Sequence, residues 1–339
     1  MNVVVVVSGG ITETLQASPL LRTLRAGEPN AQIGLVCPAR SGPIAQGIPA
    51  VDVVTPRREL GGYPGALAGF RVWLELRRQR VDAVLLCSQS AWLRLAAFLA
   101  GVPERIGPRG GLSSFLLTRR GLADRAENRA PQWLRLAALM GIRQELHSPS
   151  YEPGAEALRE ADHLIHGTGF TDGRLLVALA PGTGFAEHDA LSGPDAVWDA
   201  ERYALLCNQL AIRHGAGILF IGAPDDIGVI ERTMLDLGAS AADLSGEPDV
   251  RVVAAIISRC DLFIGGDTPL LHVAAAVGTP AVGLFGPSDG KLRGPYGSDH
   301  RIIQGLPPRM DAKGVDGAPA LVMDQIRVDD VLASIEASL

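Results

Sequence analysis

Residues 260–289 combine side chains that together could bind an anion. An apolar run ends there in a glycine pair that includes Gly266. Asp267 and Thr268 follow, just before a proline, the residue favoured in the first turn of a helix. Backbone N–H groups, the threonine hydroxyl and the positive end of the helix dipole would converge there, which suits a diphosphate. His272 lies one turn further on. Asp267 alone fits a helix cap and His272 alone a core residue, but their joint placement favours a binding site.

Three other loops, each directly after a predicted strand, also carry candidate residues. Glu13 is the ionisable side chain of the first loop, where a carboxylate could act as a general base or could complement a helix dipole. Thr183 and Gly184 belong to a loop that could present a hydroxyl and backbone N–H groups to phosphate, and an unliganded turn fits equally well. Asp226 follows another strand, where its carboxylate could bind a ribose diol or cap a helix.

The elements that must position these loops alternate along the chain. Short apolar runs alternate with longer helix-like stretches, which predicts parallel sheets with helices on both faces. Predicted strands cover 3–7, 32–36, 51–55, 83–87, 175–180, 217–221, 262–265 and 281–284. Predicted helices cover 15–25, 65–80, 91–100, 131–140, 200–214, 227–237, 250–259, 270–277 and 328–339. The fold class is therefore α/β, with two Rossmann-like, doubly wound domains in tandem.

The domain limits follow from a change in composition. A Gly- and Pro-bearing segment at 148–173 has few apolar positions in register and is interpreted as a linker. It separates a domain at 1–150 from one at 174–325. A short amphipathic helix within 326–339 could pack back on the first domain. Ligands of open α/β sheets bind beyond the carboxyl ends of the strands, where all four loops lie.

Charge divides the chain into two unlike halves. The 339 residues are 47% hydrophobic and 20% charged, which is a globular composition long enough for two domains. The net charge is −6, but residues 1–143 carry +9, from eighteen arginines and nine acidic residues, and residues 144–339 carry −15. The basic half could attract an anionic acceptor or membrane surface, or it could form solvated helix faces. Nucleic acid is disfavoured, because only 5% of residues are aromatic and none alternate with the arginines.

Sequence features also bear on the compartment. No apolar run approaches the roughly 18 residues that span a bilayer, and the start of the chain lacks the basic region and cleavage site of a signal peptide. The cysteines are far apart, in or beside apolar runs: Cys37, Cys87, Cys207 and Cys260. This pattern favours buried, reduced thiols over disulfides or a zinc site. A cytoplasmic protein is expected.

The segment 260–289 resembles the C-terminal signature of glycosyltransferase family 9, the ADP-heptose:lipopolysaccharide heptosyltransferase family. The family pattern is D-T-G-P-M-H-L-A-A-A-L-G-T-P, a strand and F-G-P-T-D, and it matches Asp267, Thr268, His272, 274–276, 278–280 and 285–289. The likeness extends to the first loop, where Pro19 is in register with a family proline. The resemblance implies a GT-B fold, in which two Rossmann-like domains face a cleft.

The resemblance also implies an activity, namely inverting transfer of a sugar from a nucleotide diphosphate to a hydroxyl group. Glu13 would be the base, in an N-terminal domain that binds an anionic, lipid-linked glycan such as lipopolysaccharide, with peripheral contact at the cytoplasmic face of the inner membrane. The C-terminal domain would bind the donor, for which ADP-heptose is the family expectation. The donor-binding residues would be Thr183, Gly184, Asp226, Gly266, Asp267, Thr268 and His272. No metal or other cofactor is expected, because the chain lacks a D-x-D motif and the helix end supplies positive potential.

Three departures from the family pattern fall at the site. The family's Gly-Asp is Thr12-Glu13 here, which places a longer carboxylate at the base position. Its Gly-Pro-Met before the histidine is Pro-Leu-Leu at 269–271, without the glycine. The Lys or Arg that usually follows its P-G-x-G loop is missing, and His188 is the candidate substitute.

Two other functions fit the sequence as alternatives. A nucleotide-sugar 2-epimerase has a similar two-domain fold but would need more acid and base groups than Glu13 supplies. A catalytically weak sugar-nucleotide-binding protein would bind the donor without turnover. An NAD-dependent oxidoreductase is disfavoured, because the first loop lacks the G-x-G-x-x-G fingerprint.

Overall fold

A computed structural model of the chain describes residues 1–124, 126–145, 147–170, 173–183, 185, 197–247, 249–286, 288–297, 300–305 and 323–337. The chain forms two compact units, Met1–Glu152 and Pro153–Leu339. The boundary lies two residues beyond the expected end of the first domain. No helix within the described ranges is long and apolar enough to cross a membrane.

Among the described residues of the first unit, six strands form one parallel sheet. The strands are β1 (Asn2–Val7), β2 (Gln32–Pro38), β3 (Val53–Arg57), β4 (Ala83–Cys87), β5 (Glu104–Pro108) and β6 (Arg119–Gly121). Their order across the sheet is β3-β2-β1-β4-β5-β6. The helices are α1 (Ile11–Gln16), α2 (Ser18–Gly27), α3 (Gly42–Ala45), α4 (Ala66–Gln79), α5 (Ala91–Leu99) and α6 (Arg129–Ala138), with 3-10 turns at Ala39–Ser41 and Leu112–Leu116.

The first strand shows why this sheet is covered on both faces. Residues 3–7 are all valine and all fully buried, with β2 and β4 paired on either side. Alternate side chains of a strand point to opposite faces. Val3 and Val5 lie in a core shared with α2 and α6, whereas Val4 and Val6 lie in a second core with α4 and α5. A continuous β-branched run is typical of such a doubly covered parallel strand.

The second unit has the same architecture. Among its described residues, a parallel sheet has the order β12-β11-β10-β7-β8-β9. The strands are β7 (Leu176–Ala180), β8 (Gly217–Phe220), β9 (Ala241–Asp243), β10 (Leu262–Gly265), β11 (Ala281–Phe285) and β12 (His300–Gln304). The helices are α7 (Ala155–Gly167), α8 (Ala200–His214), α9 (Ile227–Leu235), α10 (Val250–Ser258), α11 (Pro269–Val277), α12 (Gly290–Arg293) and α13 (Val328–Glu336). The prediction of two doubly wound α/β domains is confirmed.

One segment differs from the sequence interpretation. The expected linker contains α7, which packs against α10. The C-terminal helix α13 packs on α8, and Val331 and Ile335 lie in the core of the second unit. The suggestion that it also packs on the first domain stays a prediction. The indole Nε1 of Trp198 donates to the carbonyl of Ile326 at 3.1 Å, which ties the segment before α13 to the second unit.

The cysteines lie in these cores. All four are buried free thiols, as predicted. Burial raises the pKa of Cys37, Cys207 and Cys260 to about 12, and it raises the pKa of Cys87 as well. Thiolate, the reactive form, is therefore scarce at all four positions.

Candidate functional site

Each sheet has a point where its strand order reverses, between β1 and β4 in one unit and between β7 and β10 in the other. The loops that leave such neighbouring strands diverge to opposite faces and leave a crevice, in which ligands of open α/β sheets bind. The described site candidates follow β1, β7, β8 or β10. Gly184 and His188 lie outside the described residues.

Glu13 lies in the first turn of α1, just after β1. Its Oε1 accepts a hydrogen bond from Nη1 of Arg129 at 2.6 Å, and its side chain is still 23% exposed. Arg129 is the first residue of α6, whose N-terminus is capped by the side chain of Asn128. The carboxylate is thus held at the carboxyl edge of the first sheet and remains open to solvent, as a general base must be.

Gly9 sets the position of that carboxylate. A Cβ atom at residue 9 would come within 2.3 Å of Cδ of Glu13 and 2.6 Å of its Oε2. The carboxylate therefore folds back over the glycine, and any side chain at residue 9 would displace it.

In the second unit, Thr268 is the N-cap of α11, which begins at Pro269 and ends before Gly278. The carbonyl of Gly266 accepts a hydrogen bond from the Thr268 N–H at 2.9 Å in the turn that leads into the helix. The Thr268 side chain makes no capping bond. It is only 4% exposed, and its Oγ1 has no hydrogen-bond partner in the described part of the chain. Because a buried unpaired hydroxyl is costly, this atom favours a ligand oxygen as its partner.

Asp267 adds a second charged group beside that cap. Its Oδ2 lies 2.5 Å from Nε of Arg293, the last residue of α12. The Asp267 side chain is 14% exposed and that of Arg293 is 39% exposed. The pair places a guanidinium group close to the start of α11, where it offsets the negative charge of Asp267 and leaves the positive end of the helix dipole unopposed.

His272 lies one turn into α11 and is buried. Burial lowers the pKa of its imidazole to about 4, although the nearby Asp267 carboxylate raises it. The ring is therefore neutral near pH 7 and would bring no positive charge to a ligand at the start of α11. Its part in donor binding stays a prediction.

We expect the free energy of unfolding to fall as the pH drops from about 6.5 towards 4. The unfolded chain would then bind a proton at His272 that the folded chain, with a pKa of about 4, does not. The loss at about pH 5 should be roughly 2 kcal/mol relative to neutral pH. Urea unfolding of the wild type and His272→Gln at both pH values measures it. The free energy of unfolding of His272→Gln should fall less between the two pH values than that of the wild type. His163→Gln, at an exposed position of α7, should show the same fall as the wild type. Equal losses in wild type and His272→Gln would show that this ring is not responsible.

Asp226 connects two neighbouring loops of the second unit. It is 4% exposed; its Oδ1 accepts from the N–H of Thr183 and its Oδ2 from the N–H of Ala223, both at 2.9 Å. A Cβ atom at Gly182 would lie 2.2 Å from Oδ1, so the carboxylate closes over that glycine. These bonds make Asp226 a positioning residue for the loop that carries Thr183. The ribose contact inferred from the sequence stays a prediction.

Asp226→Ala should lower the free energy of unfolding by about 2 to 4 kcal/mol, because it leaves the N–H groups of Thr183 and Ala223 without their acceptor. Urea unfolding measures the change. Asp225→Ala is the matched control, since Asp225 is exposed and adjacent, and it should cost well under 1 kcal/mol. Similar losses in the two variants would contradict the positioning role.

The structure therefore brings Gly266, Asp267, Thr268 and His272 into one strand-turn-helix unit, and Thr183 and Asp226 into the loops after β7 and β8. Sequence reasoning missed Arg129 and Arg293. Their carboxylate partners are 116 and 26 residues away, a separation that no local pattern indicates. Within the described ranges, no group of three or more His, Cys, Asp or Glu side chains is placed to hold a metal ion.

Sequence comparison matches most of the chain to known proteins. The sequence model of glycosyltransferase family 9 (heptosyltransferase) matches residues 70–314. The chain is 28% identical over 316 residues to lipopolysaccharide heptosyltransferase 2 of Escherichia coli K12, over 90% of this chain and 88% of that protein. It is 26% identical over 314 residues to the Salmonella typhimurium protein of the same name, with the same coverage of 90% and 88%.

Solved structures share the fold. A glycosyl transferase of family 9 from Veillonella parvula superimposes with a TM-score of 0.83 at 20% identity, over 99% of this chain and 96% of that one. The E. coli ADP-heptose LPS heptosyltransferase II gives a TM-score of 0.77 at 22% identity, over 100% and 98% of the two chains. Both superpositions cover nearly the whole chain, so both units share their fold with these proteins.

Proposed function

The chain belongs to glycosyltransferase family 9, the heptosyltransferase family, and on that premise we propose that it transfers heptose from ADP-heptose to a hydroxyl group of a lipopolysaccharide acceptor. As a member of this family it is a glycosyltransferase. The heptosyl group and the acceptor follow the names of its relatives, and the ADP follows the family resemblance. Inversion at the anomeric carbon and independence of metal ions and other cofactors are part of the proposal.

The observation that carries the proposal is the buried hydroxyl of Thr268 at the start of α11, which has no hydrogen-bond partner among the described residues. A diphosphate oxygen there would accept from that hydroxyl and from backbone N–H groups of the first helical turn. The helix dipole would oppose its negative charge, and the guanidinium of Arg293 would offset the charge of the neighbouring Asp267 carboxylate. Such a site stabilises a leaving diphosphate by charge and hydrogen bonds that are already in place.

Glu13 would act as the general base of the transfer. Its carboxylate would take the proton of the acceptor hydroxyl as that oxygen attacks the anomeric carbon of the donor. The new C–O bond forms while the bond from the anomeric carbon to the diphosphate oxygen breaks, and the electron pair leaves with ADP. A single displacement of this kind inverts the configuration of the anomeric carbon.

The acceptor class also suggests where the reaction takes place. The lipid part of a lipopolysaccharide precursor holds it in a bilayer, so the proposal places the chain in peripheral contact with the cytoplasmic face of the inner membrane. The net charge of +9 on residues 1–143 supports contact with anionic groups.

The test uses the purified protein with ADP-, GDP- and UDP-linked sugars, with and without a lipopolysaccharide acceptor and with and without EDTA. Thermal stabilisation reports donor binding, nucleotide release reports turnover, and NMR of the product gives its anomeric configuration. ADP-heptose should stabilise the protein and yield an inverted product in the presence of EDTA. Loss of turnover in EDTA would overturn the metal-free part of the proposal.

Other outcomes would identify the alternatives. Donor binding without release of nucleotide in the presence of acceptor would indicate a binding protein. Interconversion of the donor sugar without acceptor would indicate an epimerase. Absence of stabilisation by any nucleotide sugar would show that the helix N-terminus of α11 is not a donor site.

A further inference from the structure

Six large apolar side chains of the first unit are exposed to solvent near one edge of its sheet. They are Tyr63, Leu67, Phe70, Trp92, Leu112 and Phe115, and together they are called the apolar edge here. Leu112 is 95% exposed and Phe115 is 71% exposed. Single exposed apolar residues are ordinary, but a group of them indicates an interaction surface.

The topology places these residues on the same side of the unit. Tyr63 precedes α4, Trp92 lies in the first turn of α5, and the 3-10 turn at Leu112–Leu116 follows β5. Because β3, β4 and β5 run parallel, the segments that leave them start at the carboxyl edge of the sheet. The helices α4 and α5 are in close contact there, since a Cβ atom at Gly69 would approach the carbonyl oxygen of Trp92 to 2.9 Å.

A buried arginine fixes the turn that presents Leu112 and Phe115. Arg94 of α5 is 1% exposed, and its guanidinium donates to the carbonyl of Pro108 at 2.8 Å and to Ser113 Oγ at 2.9 Å. The turn could not bring its exposed side chains inward without losing these bonds. The apolar side chains are therefore presented to solvent by a turn that the protein interior holds in place.

Exposed arginines lie at the same carboxyl edge of the sheet as these apolar side chains. Arg58 directly follows β3 and Arg109 directly follows β5, and both are exposed. Arg120 of β6 is also exposed and pairs with Gly107 near the carboxyl end of β5. These three positive charges favour an anionic partner.

We propose that the apolar edge inserts into the headgroup region of an anionic phospholipid bilayer, with the neighbouring arginines binding the headgroups. Aromatic and leucine side chains next to arginine are the combination that binds this region of a bilayer. The proposal rests on the proposed function in one respect, since a lipid-linked acceptor is held in such a bilayer. It places the membrane on the side of the unit where Glu13 follows β1.

Vesicle flotation tests the proposal with the full chain and vesicles of phosphatidylglycerol and phosphatidylcholine that contain no acceptor. The wild type should float with these vesicles. Binding should fall by about tenfold or more in Leu112→Ser/Phe115→Ser, and it should weaken in high salt and on phosphatidylcholine alone. The matched control is Ile212→Ser/Leu235→Ser in the second unit, at residues 80% and 83% exposed, and it should bind as the wild type.

Absence of flotation by the wild type, or equal flotation of the Leu112/Phe115 variant, would overturn the proposal. Either result would indicate that the surface binds a protein partner instead of a bilayer. Equal binding to neutral vesicles would overturn the role of the arginines. Because the vesicles lack acceptor, this result is independent of sugar transfer. The same variant should keep wild-type transfer to a deacylated, water-soluble acceptor and lose it only with acceptor embedded in vesicles.

Discussion

Glu13→Gln should lower the rate of sugar transfer by about 10² to 10⁴-fold while the affinity for ADP-heptose stays unchanged. Glutamine has nearly the shape of glutamate, and its amide oxygen can still accept the hydrogen bond that Arg129 donates. It cannot take a proton from the acceptor hydroxyl. Single-turnover rates measured at saturating donor and acceptor, with calorimetric donor affinities, separate the chemical step from binding.

The matched control is Glu104→Gln. Glu104 also pairs with an arginine of the first unit, Arg119, at 2.8 Å, but it lies at the start of β5, away from the carboxyl edge. Its replacement should leave the rate unchanged. Gly9→Ala should reduce the rate without unfolding the protein, because the added Cβ displaces only the end of the Glu13 side chain. Equal, small effects of the Glu13 and Glu104 variants would rule out Glu13 as the base.

Thr268→Val should weaken donor and ADP binding by about tenfold to a hundredfold and leave the free energy of unfolding unchanged or higher. The hydroxyl makes no hydrogen bond to a described residue, so its removal breaks no described hydrogen bond of the folded chain. A hydrogen bond to a charged diphosphate contributes about 1.5 to 3 kcal/mol to binding. Calorimetric titration with ADP and urea unfolding give the two quantities.

Thr279→Val provides the opposite case. Thr279 is also 4% exposed and follows the same helix, but its Oγ1 donates to the carbonyl of Ile257 at 2.8 Å. This variant should lose about 1 kcal/mol of stability and keep its affinity for ADP. A Thr268→Val protein that is less stable but binds ADP as the wild type does would show that the Thr268 hydroxyl serves the fold alone.

The sequence predicted eight strands, among them the edge strand β3, and missed four others. β6, β9 and β12 are edge strands, and β5 is next to an edge. β6 and β9 have only three residues each, and β5 and β12 contain charged side chains. An edge strand needs one pairing partner and little burial, so its sequence carries a weak apolar pattern. Helix α7 was missed for a related reason, because its buried residues are two alanines.

The candidate site, too, could be predicted from the sequence only in part. Gly266, Asp267, Thr268 and His272 are close in the chain, so local spacing was enough to place them together. The arginine partners of the site carboxylates lie far away in the chain. Arg293 on α12 pairs with Asp267, and in the first unit Arg129 on α6 pairs with Glu13. Sequence spacing also showed Asp226 after a strand, but it could not show that two backbone N–H groups already occupy its carboxylate.

The burial of the four cysteines makes the native chain a suitable starting material for site-specific labelling. Maleimide reagents attack thiolates, and these thiols are withheld from solvent with their pKa values raised by burial. A cysteine introduced at an exposed position such as Ile212 would carry a fluorophore without prior removal of the native ones. Label that appears at the native positions would then report unfolding of the core around them.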